Sequence, residues 1–358
     1  MTAKQDGQEL QKIKDIVAHF SIGSYRHHRL IDTGLIHQTF QIETEVGFFC
    51  LQGLHQKLAT DEILLDYQAV TSYLDYHHFP APKLILTKEA QLAWRDEKNT
   101  RWRMTTWLEG NTLQEITTEQ IRSAASMLGR FHTQMLDFDY HFQSEHPLHQ
   151  SEYHLQALQE AILKHQKSSW LPKIQSYIDE VVEELPKLFL MDLPQRVVHG
   201  DPKITNILFD QSGQATALID LDTCTRHSIL VDLGDAIRSW CREGGEDEER
   251  DFSLERFEAF IKGYAKTAPK LSMKEINFLP HAGRLITLEL TARFLTDILE
   301  NCYFGWDSAR YSSRQEHNYA RVKGMLYLAK DMNKSITQIS TIIEDIFFPV
   351  DSDNKTKL

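Results

Sequence analysis

Between residues 197 and 210 the chain reads Val-Val-His199-Gly200-Asp201-Pro202-Lys203-Ile204-Thr205-Asn206-Ile-Leu-Phe-Asp. One histidine, one carboxylate, one ammonium and one carboxamide stand between an apolar lead-in and an apolar exit. A short way on comes Ala217-Leu218-Ile219-Asp220-Leu221-Asp222-Thr223, an apolar strand ending in two acids. A carboxylate base, an amide oxygen and a second carboxylate a hairpin away can hold a magnesium nucleotide and accept a hydroxyl proton. Taken singly, an Asp at a strand end is most often a turn residue or a cap. The order and spacing of the whole set carry the functional reading.

A protein-kinase catalytic loop runs His-Arg-Asp, four residues, Asn, then a strand and a metal-binding Asp. His199-Gly200-Asp201 is followed by four residues and Asn206, then by Ile219-Asp220, with Gly in place of the Arg. Such residues need a two-lobed frame, and the chain is long enough for one, since 358 residues exceed a usual single core.

The frame can be read from the start. Leu10, Ile13, Ile16, Val17 and Phe20 share one face of a helix expected over residues 8–20. Residues 30–42 read strand, turn, strand, Glu45-Val46-Gly47 turns again, and residues 48–52 make a third strand. The turn from Gly34 to Thr39 is where a kinase covers the phosphates. Backbone N–H groups and the Thr39 hydroxyl can serve there despite the single glycine. The third strand of protein kinases carries a phosphate-binding Lys; here Gln52 stands near that place, and Lys57 comes later. A helix is expected over 61–76, last strands over 84–86 and 102–107, and the crossing between lobes at 104–112. Backbone groups and apolar walls around Met104 and Trp107 would hold adenine there. Helices are expected over 121–135, within 150–185, from Asp232, and over 252–267, 273–278, 280–299 and 317–332. The expected fold is α+β: an N-terminal lobe over 1–108 with a leading helix, an antiparallel sheet and one long helix; a mainly helical lobe with the catalytic and metal-binding loops over 109–350; and a polar tail over 351–358.

Composition narrows the classes. The chain is 41% hydrophobic and 25% charged, ordinary for a folded protein. Its net charge of −12 speaks against non-specific nucleic-acid binding. No run approaches the length of a membrane span, no secretory h-region stands at the N-terminus, and Cys50, Cys224, Cys241 and Cys302 show no metal spacing. A cytoplasmic enzyme that engages neither nucleic acid nor membrane is expected. The acidic run over 243–251 reads as a solvated loop, and His149, His154 and His165 as surface or packing residues.

The block from Val198 to Asn206, with Ile219-Asp220-Leu221-Asp222-Thr223 and Asp232-Leu233-Gly234-Asp235, resembles the aminoglycoside phosphotransferase and choline kinase superfamily, which has a bilobal protein-kinase-like fold. Gly34-Leu35-Ile36-His37-Gln38-Thr39, Phe49-Cys50-Leu51-Gln52 and Arg293 to Leu299 followed by Tyr303-Phe304 resemble bacterial N-acetylhexosamine 1-kinases. The resemblance spans residues 30–332. It implies Asp201 as the base, Lys203 near the transferred phosphate, Asn206 and Asp220 as magnesium ligands, and ATP as co-substrate. Asp222 would be a second metal contact, a substrate contact or a support. His199, Asp232 and Asp235 would support the loop and the helix after it. Arg293 and Tyr303, with His37 in the turn, would contact a sugar or amino sugar. The Arg-to-Tyr segment is one residue shorter than in the sugar kinases, and His37-Gln38 stands where they have Asn-Asp. Two other functions fit the residues: an aminoglycoside- or choline-type phosphotransferase, and a nucleotide-binding pseudokinase that regulates a partner, the latter favoured by Gln52.

Overall fold

The computed structural model describes residues 3–31, 37–56, 59–144 and 148–349. Gly34 and the rest of the turn at 32–36, Lys57, and the tail over 351–358 lie outside the described residues. The chain forms two compact units. The first comprises Met1–Asn111, Asp137–Glu145 and Thr216–Cys224, and the second the remaining segments.

In chain order the first unit contributes α1 (Ala3–Val17), β1 (Tyr25–Ile31), β2 (Gln38–Thr44), β3 (Gly47–Gly53), α2 (Asp61–Tyr76), β4 (Leu84–Ile85), β5 (Trp94–Arg95) and β6 (Arg101–Thr106). The strands form one antiparallel sheet in the order β1-β2-β3-β6-β4, with β5 also on β6. Its two faces follow from the period-two pattern of the strands. Phe40, Leu51 and Met104 lie opposite one another on three neighbouring strands. They are buried with Ile42 and Trp102 against Ile13, Ile16, Val17 and Phe20. The adjacent row, Thr39, Gln52 and Arg103, is likewise in register, so it faces the other side of the sheet.

Helix α2 spans the expected residues. Thr60 caps it by accepting from the Ile63 N–H, and Asp61 and Glu62 suit its positive end. Helix α1 differs from expectation. It closes at Val17, and Phe20 instead bridges to Thr87, while Leu10 is exposed. The apolar spacing holds for Ile13, Ile16 and Val17 only.

The second unit is mainly helical: α3 (Thr118–Gln134), α4 (Ser151–Lys164), α5 (Leu171–Glu184), the short strand β7 (Arg196–Val198) and β8 (Ile207–Phe209) come first. Strand β9 (Ala215–Leu218) runs into the first unit's last segment; then follow β10 (Thr225–His227), α6 (Leu230–Trp240), α7 (Leu254–Ala265), α8 (Met273–Glu300), α9 (Arg314–Lys334) and α10 (Ile336–Phe347). Helix α3 starts at a capping box in which Thr117 and Gln120 bond each other's backbone N–H.

Two helices expected on either side of Pro280 are a single one, α8, of 28 residues. A proline removes one backbone bond. Buried Leu279, Ala282, Leu285 and Ile286 straddle it, and their packing carries the helix through. A Cβ at Gly234 would collide with the Ala282 carbonyl, so the glycine sets how closely α6 lies on α8. Among the described residues no helix is long and apolar enough to cross a membrane.

Candidate active site

In the second unit, β7 delivers the loop. Val197, Val198 and His199 are fully buried, and β7 is paired with β10 through Val198 and Thr225. Gly200 then takes φ +84°, a conformation that an arginine would hold only with strain. This is why the residue between His199 and Asp201 is glycine.

Beneath the loop lies Asp232, on the first turn of α6. Its Oδ2 accepts from the His199 N–H at 2.7 Å and its Oδ1 from the Gly200 N–H at 2.9 Å. His132 Nε2 sits 2.9 Å from the same Oδ2, and His132 Nδ1 lies 2.9 Å from the Tyr264 hydroxyl. Burial pushes the Asp232 carboxyl up, but the bonds from His132 and His199 outweigh it and hold the group below the usual range. Helix α6 begins at Leu230, two residues before the expected start, with Leu233, Ile237 and Trp240 inward as read from the sequence.

Asp201 projects from this platform with its carboxylate 22% exposed, and Lys203 Nζ lies 2.5 Å from its Oδ2. Asn206 donates its Nδ2 to the Asp201 carbonyl at 2.8 Å, so its Oδ1 is the side-chain atom that could serve a cation. Asp235 is buried, bonded by Arg238 at 2.7 and 3.0 Å, and lies in the field of Lys203. Burial works against the charge on Arg238, yet Asp235, Glu246 and Asp201 keep the guanidinium charged.

Sequence reasoning missed His149. It was read as a surface or packing residue; it is buried, adopts φ +59°, and bonds the Gly200 carbonyl through Nε2 at 3.0 Å. Its Nδ1 faces Glu289 at 3.3 Å, and Glu289 also accepts from Ser151 at 2.6 Å. Burial would lower the His149 pKa, but Glu289 raises it to about 9. No motif links His149 to residues this far along the chain.

The acidic run over 243–251 also departs from expectation. Glu246 bonds Arg238 at 3.1 Å and stands 3.8 Å from Arg321. Asp247 accepts from Tyr311 at 2.5 Å and pairs with Arg310 at 3.0 Å. Basic and aromatic partners thus take up the charges of Glu246 and Asp247, while Glu243, Glu249 and Asp251 are exposed, as expected of a solvated loop.

From Arg321 the contacts continue to the rings of Phe294 and Phe304, 5.3 and 5.9 Å away, and Arg293 lies 5.5 Å from Phe304 and 5.9 Å from Tyr303. The turn after α8 is held by Asp297, which accepts from the backbone N–H groups of Cys302, Tyr303 and Phe304 at 2.7 to 2.9 Å and from Asn318. Tyr303 thus stands on a fixed turn while remaining 58% exposed.

The first unit holds the other acids. Asp220 takes the left-handed conformation, φ +65° and ψ +54°, a cost that a non-glycine residue bears where its side chain must point one way. His37, Asp220 and Asp222 bring ligand atoms within 4.8 Å of one another. Carboxylate oxygens suit a hard divalent cation, and the imidazole is a weaker match for magnesium. Burial lowers the His37 pKa, and its Nδ1 accepts from the His55 N–H at 3.1 Å.

Asp222 is buried and gripped by Arg103, with Nη1–Oδ1 at 2.5 Å and Nη2–Oδ2 at 2.8 Å. Arg103 Nη2 also donates to Gln52 Oε1 at 2.7 Å, and its guanidinium lies 3.8 Å from the centroid of the Tyr67 ring on α2. Thr39 is half-buried on β2, Met104 is buried in the sheet core, and Trp107 is half-buried just past β6.

With this geometry in view, comparison with known proteins adds the class. The model of the phosphotransferase enzyme family matches residues 27–269, and the chain belongs to that family. It is an enzyme, a kinase that moves phosphate to a hydroxyl group. A homoserine kinase of Zymomonas mobilis is 26% identical over 244 residues, 65% of this chain and 70% of the relative. A homoserine kinase of Caulobacter vibrioides is 22% identical over 277 residues, 76% and 83% of the two chains. An amicoumacin kinase solved with AMP-PNP and Ca2+ shares the fold at a TM-score of 0.61 and 16% identity, covering 96% of both chains. A choline kinase from Cryptosporidium parvum does so at 0.55 and 18%, covering 94% of this chain and 99% of that one. The α+β, kinase-like architecture read from the sequence is therefore the fold of this chain.

Proposed function

We propose that this enzyme uses ATP and Mg2+ to phosphorylate a hydroxyl of a small polyhydroxylated acceptor, a sugar or amino sugar. The observation that carries the kinase chemistry is the loop from His199 to Asn206, fastened from below by Asp232 and presenting Asp201 beside Lys203.

Asp201 receives the acceptor's hydroxyl proton. It needs no raised pKa, since phosphoryl transfer has a loose transition state and the proton can leave late. Lys203 holds Asp201 in place in the free enzyme and is near enough to meet the oxygens of the migrating group. Asn206 and Asp220 offer the neutral and anionic oxygens that a magnesium ion takes. Bound magnesium would offset charge on the leaving oxygen. The turn around Gly34, Thr39 and Gln52, with Trp107, is assigned to the nucleotide; Met104, expected there from the sequence, packs instead in the α1 core on the opposite face of the sheet.

The sugar reading is supported by the turn that Asp297 fixes. It presents an exposed aromatic ring, Tyr303, next to Arg293, and a planar ring and a guanidinium suit a sugar face and its hydroxyls. His37 and Asp222 remain further candidates for acceptor contact. A second reading, an amino acid or amino alcohol as acceptor, is favoured by the homoserine kinase relatives.

The test is ATP consumption screened across N-acetylhexosamines, other free sugars, homoserine, amino alcohols, choline and aminoglycosides. Phosphorus NMR of the product then identifies the modified oxygen. Turnover with sugars and none with homoserine is the expected result; the reverse pattern replaces the first reading by the second. Nucleotide binding without turnover on any acceptor would count against both.

A further inference from the structure

Gln52 leaves the nucleotide site without the cation that protein kinases place on the third strand. The neighbouring strand carries one. Thr39, Gln52 and Arg103 form a single row across β2, β3 and β6, each directly opposite the next. They project from the sheet face opposite the α1 core, the face on which α2 sets Tyr67 over the guanidinium. We infer that Arg103 is the side chain that takes the nucleotide's phosphate oxygens, in the role the strand lysine has elsewhere. The inference rests on the nucleotide reading above.

Three observations carry it. Arg103 is 1% exposed, and a buried cation in a strand otherwise made for packing needs a reason beyond stability. Its Nε is buried and, among the described residues, finds no acceptor. Its fork is filled by both oxygens of Asp222 in a bidentate grip, the same planar geometry that two phosphate oxygens adopt on a guanidinium.

Asp222 belongs to the His37, Asp220 and Asp222 group that is close enough to share a cation. In the free enzyme Asp222 therefore stands in for a phosphate. When nucleotide enters, Asp222 yields the fork and Arg103 changes partner, from carboxylate to phosphate. Gln52 keeps the guanidinium aimed through Nη2, and Tyr67 keeps it flat. The buried acid of α2, Asp66, is engaged elsewhere, by Tyr140, Gln143 and Ser144.

The experiment is calorimetric titration of the full chain with ADP and with adenosine, in EDTA so that no metal contributes. Arg103→Met is expected to weaken ADP by roughly tenfold or more, as for loss of charged hydrogen bonds, and to leave adenosine within about twofold. Arg103→Lys should fall between. Gln52→Lys combined with Arg103→Met moves the charge back to the third strand and should recover most of the ADP affinity. If Arg103→Met alone does not fold, Arg103→Met with Asp222→Leu gives the same comparison in an apolar pair. ADP affinity that is unchanged, or that falls together with adenosine, overturns the assignment and leaves Arg103 as a structural tie. A wild-type chain that binds neither ligand in EDTA, and does not bind ADP when Mg2+ is restored, overturns the nucleotide reading itself.

Discussion

Two buried aspartates hold the two functional segments, and they do it differently. Asp232, 0% exposed, is held by two backbone N–H groups and the His132 ring. Asp222, 5% exposed, has its two oxygens on one guanidinium. Backbone donors cannot leave, so the Asp232 arrangement is a fixed support for the loop carrying Asp201. A guanidinium can change partners, so the Asp222 arrangement is a junction that a ligand can rearrange. The kinase thus sets a loop fastened by backbone donors, which carries the proposed base Asp201, against an ion pair proposed to exchange partners.

The largest expected effect tests the chemistry mounted on the fixed side. Asp201→Asn should lower kcat by about a hundredfold or more, the usual contribution of an acid–base group. ADP affinity and Tm should stay at wild-type values, because Asp201 lies partly exposed above the support. Steady-state kinetics with the accepted substrate check this, and a kcat within a few fold of wild type would remove Asp201 from the reaction.

The next effect separates the two aspartates by stability. Asp222→Asn leaves Arg103 buried without an anion and should cost about 3–5 kcal/mol. Arg103→Met with Asp222→Leu removes both charges and should recover most of that loss. No second substitution should rescue Asp232→Asn in this way. Its amide must turn an NH2 toward either the His199 or the Gly200 N–H, and those donors belong to the backbone. Urea unfolding of these three variants, with Asp232→Asn combined with His132→Leu as a fourth, measures the contrast; equal rescue at both sites would erase it.

This contrast also explains what could be read from the sequence. The loop from His199 to Asn206 and the strand before Asp220 were legible because short apolar runs stand on either side of the polar residues. The α2 bounds were legible from Thr60, the following acids and the apolar spacing. Arg103 was not: it meets Asp222 across 119 residues, and only the strand register shows it beside Gln52. His149 and Glu289 escaped for the same reason, being 140 positions apart yet in contact under Gly200. Within the run over 243–251 the partners of Glu246 and Asp247 escaped notice, because composition reports charge and says nothing of the Arg238, Arg310 and Tyr311 that neutralise those two acids. Pro280 misled because local propensity was read without the tertiary packing that overrides it.

The pair beneath Gly200 makes the fixed support pH-dependent. His149 has its pKa raised from 6.5 to about 9 by Glu289. A raised histidine pKa stabilises the folded state fully below the unfolded value, near 6.5, and that stabilisation is lost as pH rises through 9. Wild type should therefore be more stable than His149→Gln by up to about 3 kcal/mol at pH 6, with the gap closing toward pH 9.5. Denaturation at the two pH values tests it; a gap that widens with pH would have the wrong sign for this pair.

The smallest expected effect is at the acceptor's proposed aromatic contact. Tyr303 stands on the turn that Asp297 holds through three backbone N–H groups, so truncating its ring leaves the turn intact. The ring is 58% exposed, and its loss should move Tm little. If the ring is a platform for the acceptor, Tyr303→Ala should raise the acceptor KM by roughly three- to tenfold, the size of one aromatic contact. The KM for ATP should stay unchanged, because Tyr303 is assigned to the acceptor and the Arg103 row to the nucleotide. Arg293→Ala should act in the same direction, since its guanidinium lies beside the same ring. Acceptor KM unmoved in both variants would leave Tyr303 as a surface ring and turn the search for the acceptor site to Arg238, which feels the charge of Asp201.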